Sequence, residues 1–371
     1  MDGINILKES ISGKSNEKLR KAMALAIEKG ASDLHLCVDH NPIIRINGEL
    51  VTLTEEEKFS ESDMLSVVNI LLPESRRQRF LQERDIDFSY SLEDKIRFRG
   101  NIYFQMNKIS CSLRLIPNVI KTLDDLGLPK VMHSFVKPKQ GFVVVTGPSN
   151  QGKSTTLAAI IDQITKSRND HIITIEDPIE YIFNDNQSII DQREVDKDVA
   201  TFDKGLRASL RQDPDVIMVG EIRDLETMTT ALTAAETGHL VFATLHTNSA
   251  SETIHRIIDS FPGDRQNQIR AQLSTALFGI ISQRLVPNIN GTLVPVCEVL
   301  FNNAAVSNLI RDNKIHEVPS IIETSASQGM VSMNKSLAYL VKQGIVSLDV
   351  ALNFSLNPTE LKSYLNQKYE I

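Results

Sequence analysis

Cysteine is scarce, and the three present, Cys37, Cys111 and Cys297, are scattered along the chain. They form no C-x-x-C pair, so there is no disulfide framework and no sign of zinc, and the usage fits a reducing cytosol. No apolar run approaches the roughly 18 residues of a membrane-spanning helix. Met1-Asp2-Gly3 opens no signal peptide. Positive charge is in deficit too: 40 Lys+Arg against 47 Asp+Glu leave a net charge of −7. With no basic aromatic-rich stretch either, this balance argues against a protein that binds nucleic acid directly. Fixed-period repeats and low-complexity segments are also missing. The expectation is a cytoplasmic protein that reaches any membrane only through partners.

What is present divides in two. A length of 371 residues suits two or three domains. Residues 1–115 read as α+β. Asn16 reads as the N-cap of a helix running to about Lys29, with Leu19, Met23, Ala26 and Ile27 on one face and Gly30 as the stop. Short alternating runs follow at 34–38 and 43–46, and Asn47-Gly48 signals a hairpin before 49–51. A helical insert around 61–82 precedes further alternation at Ile86, Phe88 and Tyr90, Ile96 and Phe98, Ile102 and Phe104, and Leu113 and Leu115. This predicts an antiparallel sheet with one or two covering helices. Residues 116–124 read as a linker. The rest, 125–371, alternates strand and helix, with apolar strands at 142–146, 171–175, 215–219 and 240–245. One helix carries Leu225, Met228, Ala231, Leu232 and Ala235 on its buried stripe and ends at Gly238. After about 296 the pattern turns helical, with Asn357-Pro358 opening the last helix. The fold class is α/β: a parallel-type sheet domain, preceded by a smaller α+β domain and followed by C-terminal helices.

Residues 147–156 read G-P-S-N-Q-G-K-S-T-T, directly after the apolar run Gly141 to Thr146 and before helically spaced Leu157, Ile160, Ile161 and Ile164. This is G-x-x-x-x-G-K-[ST] in the context it requires, a buried strand leading into a helix. Gly147 and Gly152 let backbone N–H groups turn toward a polyphosphate at a helix N-terminus. Pro148, Ser149, Asn150 and Gln151 complete the loop. Lys153 supplies a point charge to the β/γ-phosphates, the Ser154 hydroxyl is suited to Mg²⁺, and Thr155 follows it into the helix. The chain is expected to bind ATP with Mg²⁺.

Three constellations lie at strand ends of the α/β half, where ligands of such sheets gather. Residues 173–180 run I-T-I-E-D-P-I-E, an apolar strand ending in acids, and triphosphate hydrolysis needs a carboxylate to orient and deprotonate water. Residues 213–221, D-P-D-V-I-M-V-G-E, resemble a Walker B strand in which Gly220 stands where an Asp is often found. Glu221 is then the only acid at the tip, and the magnesium duty falls on it with help from the 176–180 acids. Finally, His239 and His246 bracket the strand around 240–245, too far apart to share a metal. Thr244 and His246 alternate with Leu245 and face one way at the strand's end.

In this order and spacing the four elements resemble the secretion-ATPase superfamily, and within it the PilT-type retraction ATPases of type IV pili. The likeness extends to A-S-D-L-H-L and I-R-I-N-G-E (31–49), R-F-R-G-N (97–101), Q-R-E-V (192–195), L-T-A-A-E-T-G-H-L-V-F (232–242) and N-L-I-R-D (308–312). It implies a PAS-like N-terminal domain, a RecA-like C-terminal domain and a homohexameric ring with nucleotide between the two domains. It also implies work at the inner face of the cytoplasmic membrane on an inner-membrane pilus platform protein. Residue by residue, Glu180 matches the general base. Glu221 matches the Mg²⁺/water site, with Ser154 and Glu176 as further candidate Mg²⁺ ligands. His239 and His246 match residues that couple γ-phosphate state to movement. Arg97, Arg99 and Arg114 match arginines that act as fingers toward the phosphates.

Two departures stand out. Asn150-Gln151 replaces the Gly-Ser of the usual G-P-T-G-S-G-K-S, and Asn tolerates left-handed backbone angles better than most residues. The retraction motif A-I-R-N-L-I-R-E appears as 305–312, A-V-S-N-L-I-R-D, with Ser307 in place of Arg. Assembly-type relatives usually carry a tetracysteine zinc motif and a longer N-terminal region, and their absence supports retraction. The expected function is a hexameric ATP-hydrolysing motor that retracts a type IV pilus. The alternatives are a pilus-assembly or secretion ATPase of the same superfamily, and a nucleotide-binding ring component that does not hydrolyse.

Overall fold

A computed structural model describes residues 13–46, 48–92, 96–116 and 119–366. The chain divides into two compact units, with the break at 119/120.

The first unit is a six-stranded sheet covered by helices. Helix α1 (Gly13–Glu28) is followed by β1 (Asp33–Cys37), β2 (Ile43–Ile46) and β3 (Glu49–Thr52). Helices α2 (Glu61–Leu71) and α3 (Glu74–Glu83) precede β4 (Asp85–Leu92), β5 (Ile96–Gln105) and β6 (Lys108–Ile116). The strand order is β3-β2-β1-β6-β5-β4, with every neighbouring pair antiparallel. Asn16 lies inside α1 rather than capping it, because the residues before it already continue the helix. Gly30 ends this helix with φ +64, a left-handed angle that glycine reaches without a Cβ clash. The β2–β3 connection is a two-residue hairpin, since Ile46 pairs with Glu49. Of its turn residues, Asn47 lies outside the described residues and Gly48 has φ +88. The two expected runs at 96–98 and 102–104 are one strand. Gly100 sits at its middle because the Phe88 ring crosses there, and a Cβ would lie 2.2 Å from that ring.

The second unit is a seven-stranded sheet. Its strands are β7 (Gly141–Thr146), β8 (His171–Glu176), β9 (Ile189–Glu194), β10 (Val216–Val219), β11 (Leu240–Leu245), β12 (Leu277–Pro287) and β13 (Leu293–Phe301). The order is β13-β12-β7-β11-β10-β8-β9, parallel throughout except for the antiparallel β12–β13 pair. Alternate residues of the central strands face opposite layers. Val143, Val145, Val216 and Met218 pack on α4 (Lys153–Ser167). Phe142, Val144, Ile217 and Val219 pack on α5 (Phe202–Ser209), α6 (Leu225–Glu236), α7 (Ala250–Asp259) and α8 (Gln266–Ala276). Strands buried on both faces read as unbroken apolar runs, which is why the four central ones were visible in the sequence. The region after 296 is not yet helical, because β13 continues to Phe301. Helices α9 (Ala304–Arg311) and α10 (Val318–Thr324) then rejoin the core, and α11 (Met333–Lys342), α12 (Leu348–Phe354) and α13 (Pro358–Leu365) pack over Val286 and Val296 at the outer ends of β12 and β13.

Candidate active site

Strand β7 delivers the chain to a loop whose backbone depends on three positive φ angles. These are +149 at Gly147, +61 at Asn150 and +76 at Gly152. Asn150 adopts the left-handed conformation that its side chain tolerates better than most. Gly147 is required on a second count, since a Cβ there would lie 2.3 Å from the Gln283 carbonyl oxygen. The loop enters α4 at Lys153, so 147–155 curl around a helix N-terminus.

The Lys153 ammonium is buried and donates to the carbonyls of Gly147 and Pro148, each at 2.7 Å. Its third approach is 3.4 Å to His246 Nδ1. An ammonium has no acceptor, so Nδ1 accepts and the imidazole proton sits on Nε2. That N–H donates to Glu221 Oε1 at 2.9 Å, and Arg223 Nε donates to Glu221 Oε2 at 2.9 Å. The result is one relay, Lys153–His246–Glu221–Arg223, across the ends of β7, β11 and β10. Burial lowers the Lys153 pKa below the usual lysine range, against the opposing pull of Glu221 and Glu180. For Glu221, burial alone would raise the carboxyl. The Arg223 and His246 contacts outweigh it and hold the group below the usual range, and so ionised.

The acids at the end of 173–180, the Asp box, are sorted by burial. Glu176, a candidate Mg²⁺ ligand on sequence grounds, is turned inward, with both carboxylate oxygens bonded inside the unit. Its Oε1 accepts from Thr174 Oγ1 at 2.7 Å and Gln192 Nε2 at 3.2 Å, and its Oε2 accepts from Glu180 N at 3.4 Å. Burial pushes its pKa up to about 7. Glu180 is half-buried, and its charge acts on Lys153. Arg223 also reaches Asp177 at 3.7 Å, tying the Asp box to Glu221. Gly220 leaves little room for a side chain, as a Cβ would lie 3.3 Å from Ile175 O and 3.4 Å from Glu176 Cα. Oxygen donors suited to a cation here include the exposed Ser154 hydroxyl and the Glu221 carboxylate, whose oxygens are shared with His246 and Arg223. Among the described residues no cluster of three or more His, Cys, Asp or Glu side chains suits a metal. That donor set fits Mg²⁺, which usually takes one or two carboxylates together with substrate phosphates.

One expected residue of the second unit lies apart from this relay. His239 precedes β11 at the end opposite the phosphate loop: Leu240 pairs with Gly141, whereas Leu245 pairs with Thr146. Its ring Nδ1 bonds the Ala234 carbonyl at 3.0 Å. Arg97, Arg99 and Arg114 are carried by the first unit. Arg99 and Arg114 are direct cross-strand partners, so with Arg97 two residues away they share the face opposite the core. Arg114 Nε bonds Asp33 Oδ1 at 2.9 Å, and Arg97 Nη2 bonds Ser89 Oγ at 3.1 Å. Sequence reasoning missed Arg223, although it stands two residues beyond Glu221. It also missed Gln283, whose buried amide meets the loop from β12 and which no local motif marks.

The Type II/IV secretion system protein family matches residues 11–344. The chain belongs to that family. It is 39% identical over 333 residues to the type IV pilus retraction ATPase PilT of Pseudomonas aeruginosa, covering 90% of this chain and 96% of that protein. It is 40% identical over 311 residues to a twitching motility protein of Neisseria gonorrhoeae, covering 84% and 83%. A crystal structure of the pilus retraction motor PilT with bound ADP superposes with a TM-score of 0.86 at 45% identity, covering 92% of this chain and 98% of that one. These similarities bear out the expected kinship with P-loop ATPases of the pilus-retraction type and the two-sheet α/β fold. Among the described residues no helix is long and apolar enough to cross a membrane.

Proposed function

We propose that this chain is an ATP-hydrolysing motor that retracts a type IV pilus, working as a homohexameric ring. It would act at the inner face of the cytoplasmic membrane on an inner-membrane platform protein. The observation that carries the reading is the relay from Lys153 through His246 to Glu221 beneath the phosphate loop, because it links the charge at the γ-phosphate position to the end of β10. In hydrolysis Lys153 exchanges its loop carbonyls for phosphate oxygens. Glu180 accepts the proton of the attacking water as its oxygen bonds the γ-phosphorus and the bond to the β-phosphate oxygen breaks. Mg²⁺, held through Ser154 and Glu221, would neutralise phosphate charge. His246 then registers whether Lys153 is engaged by phosphate and passes that state to Glu221 and Arg223.

Arg97, Arg99 and Arg114 are proposed to supply cationic charge to the phosphates in the assembled ring, worth roughly 10–10³ in rate because several cations share the duty. Specific ATPase activity should then rise with protein concentration as subunits assemble, and an Arg114→Ala chain should poison wild-type rings when mixed. A fully active chain lacking residues 1–115 would overturn this part. Ser307, in place of the motif Arg, is spent internally, with its hydroxyl at 2.8 Å from Ser274 O and 3.0 Å from Asn302 Oδ1, so it does not replace the charge that the retraction motif carries there.

A further inference from the structure

Strand β12 outruns its parallel neighbour. Ser282 pairs with Thr146, the last residue of β7, whereas β12 continues to Pro287 with only β13 beside it. Among the described residues no strand pairs with the β7-facing edge of β12 beyond Ser282, and unpaired backbone groups at such an edge need a partner. The phosphate loop takes that place. Gln151 Oε1 accepts the Leu285 backbone N–H at 2.7 Å, an amide oxygen standing in for a strand carbonyl. The Gln283 side chain completes the seam, donating to Gln151 O at 2.7 Å and accepting from Thr156 Oγ1 in the first turn of α4 at 2.7 Å. The next residue along β12, Val286, is fully buried among Leu337, Ala351 and Leu361 of α11–α13. Four consecutive residues, 283–286, thus touch the phosphate loop at one end and the C-terminal helices at the other.

We infer that Gln151 is a positioning residue that locks the phosphate loop onto the open edge of β12, so that nucleotide binding at the loop and ordering of the β12–β13 hairpin are one coupled event. The hydroxyl of a serine at this position is too short to reach Leu285, so the longer side chain gives this chain a strut that G-P-T-G-S-G-K-S loops lack. The coupling rests on the reading of 147–155 as a nucleotide site; the hydrogen bond itself does not. Because coupling is reciprocal, loosening the strut weakens nucleotide binding by the same factor that nucleotide loses in ordering the hairpin.

The test compares backbone-amide hydrogen exchange of the full chain with Gln151→Met, which keeps length without a strong acceptor, and Gln151→Glu, which keeps the acceptor. Without nucleotide, Leu285 N–H should exchange at least about tenfold faster in Gln151→Met than in wild type and remain protected in Gln151→Glu. Saturating Mg-ADP should slow exchange across 283–296 in wild type. In Gln151→Met it should still protect 147–153 but lose the gain in the hairpin, with Kd for Mg-ADP weakened about fivefold. The inference is overturned if Leu285 exchange is unchanged in Gln151→Met, if Gln151→Glu loses protection equally, or if the hairpin gains the same protection from Mg-ADP with and without the glutamine. Failure of wild type to bind Mg-ADP would instead count against the nucleotide site itself.

Discussion

Replacing Glu176 by glutamine tests the electrostatics of the Asp box without touching a group that faces the phosphates. The carboxyl is sealed inside the second unit, and burial raises its pKa from 4.5 to about 7. An acid that holds its proton more tightly when folded makes the folded state bind more protons than the unfolded chain between these two values. Stability therefore falls as pH rises from 4.5 toward 7, and the whole penalty persists above 7. At about 1.4 kcal/mol per tenfold, the gap amounts to about 3 kcal/mol. In the Glu176→Gln variant the amide oxygen takes the place of Oε1 and keeps the Thr174 and Gln192 donors, and the amide never has to ionise. Against this stands the loss of the long Glu180 N–H contact, about 1 kcal/mol. Glu176→Gln should therefore be more stable than wild type by about 2 kcal/mol at pH 8.5, with the advantage vanishing near pH 5. Urea unfolding of nucleotide-free protein at the two pH values measures this. A stability difference that does not change with pH would show that Glu176 is not an acid held neutral by burial.

Other substitutions separate chemistry from folding. Lys153→Ala should abolish ATP hydrolysis while leaving the melting temperature within a few degrees, since the ammonium's partners are loop carbonyls and not core side chains; normal turnover in the folded variant would remove the phosphate-loop reading. Glu180→Gln and Glu221→Gln should each still bind Mg-ATP and hydrolyse it at least about a hundredfold more slowly. If Glu180→Gln turns over normally while Glu221→Gln is inactive, the roles exchange. Gly100→Ala should destabilise the first unit by about 2 kcal/mol, because its Cβ would lie 2.2 Å from the Phe88 ring. Differential scanning calorimetry reads this, and an unchanged melting profile would mean the ring moves aside at no cost.

The central strands and the phosphate loop were legible because each has a local signature: a doubly buried apolar run, or a glycine-spaced turn before a helix. Asn150 was legible on the same ground, as a residue suited to a left-handed position. Strand β9 was not, since Ile189, Asp191 and Arg193 on a sheet edge carry no apolar run. Neither was β13, where Pro295 precedes buried Val296 and Glu298 interrupts the run before buried Val299. Within the site, Glu180, Glu221 and His246 were nameable from motif position. The inward turn of Glu176 was not, because only the packing of Thr174 and Gln192 around it distinguishes it from Glu180. That His239 and His246 stand at opposite ends of β11 was legible, since they bracket the strand, and strand pairing puts His239 at the end away from the phosphate loop. Gln283 contacts the loop across 132 residues of sequence, a separation no local pattern encodes.

The most direct test of the motor reading is a count of surface pili by electron microscopy in cells lacking this chain. The account predicts more pili than wild type, corrected by the wild-type gene and not by Lys153→Ala. Bald cells, restored to piliation by the wild-type gene, would contradict retraction and assign the motor to assembly.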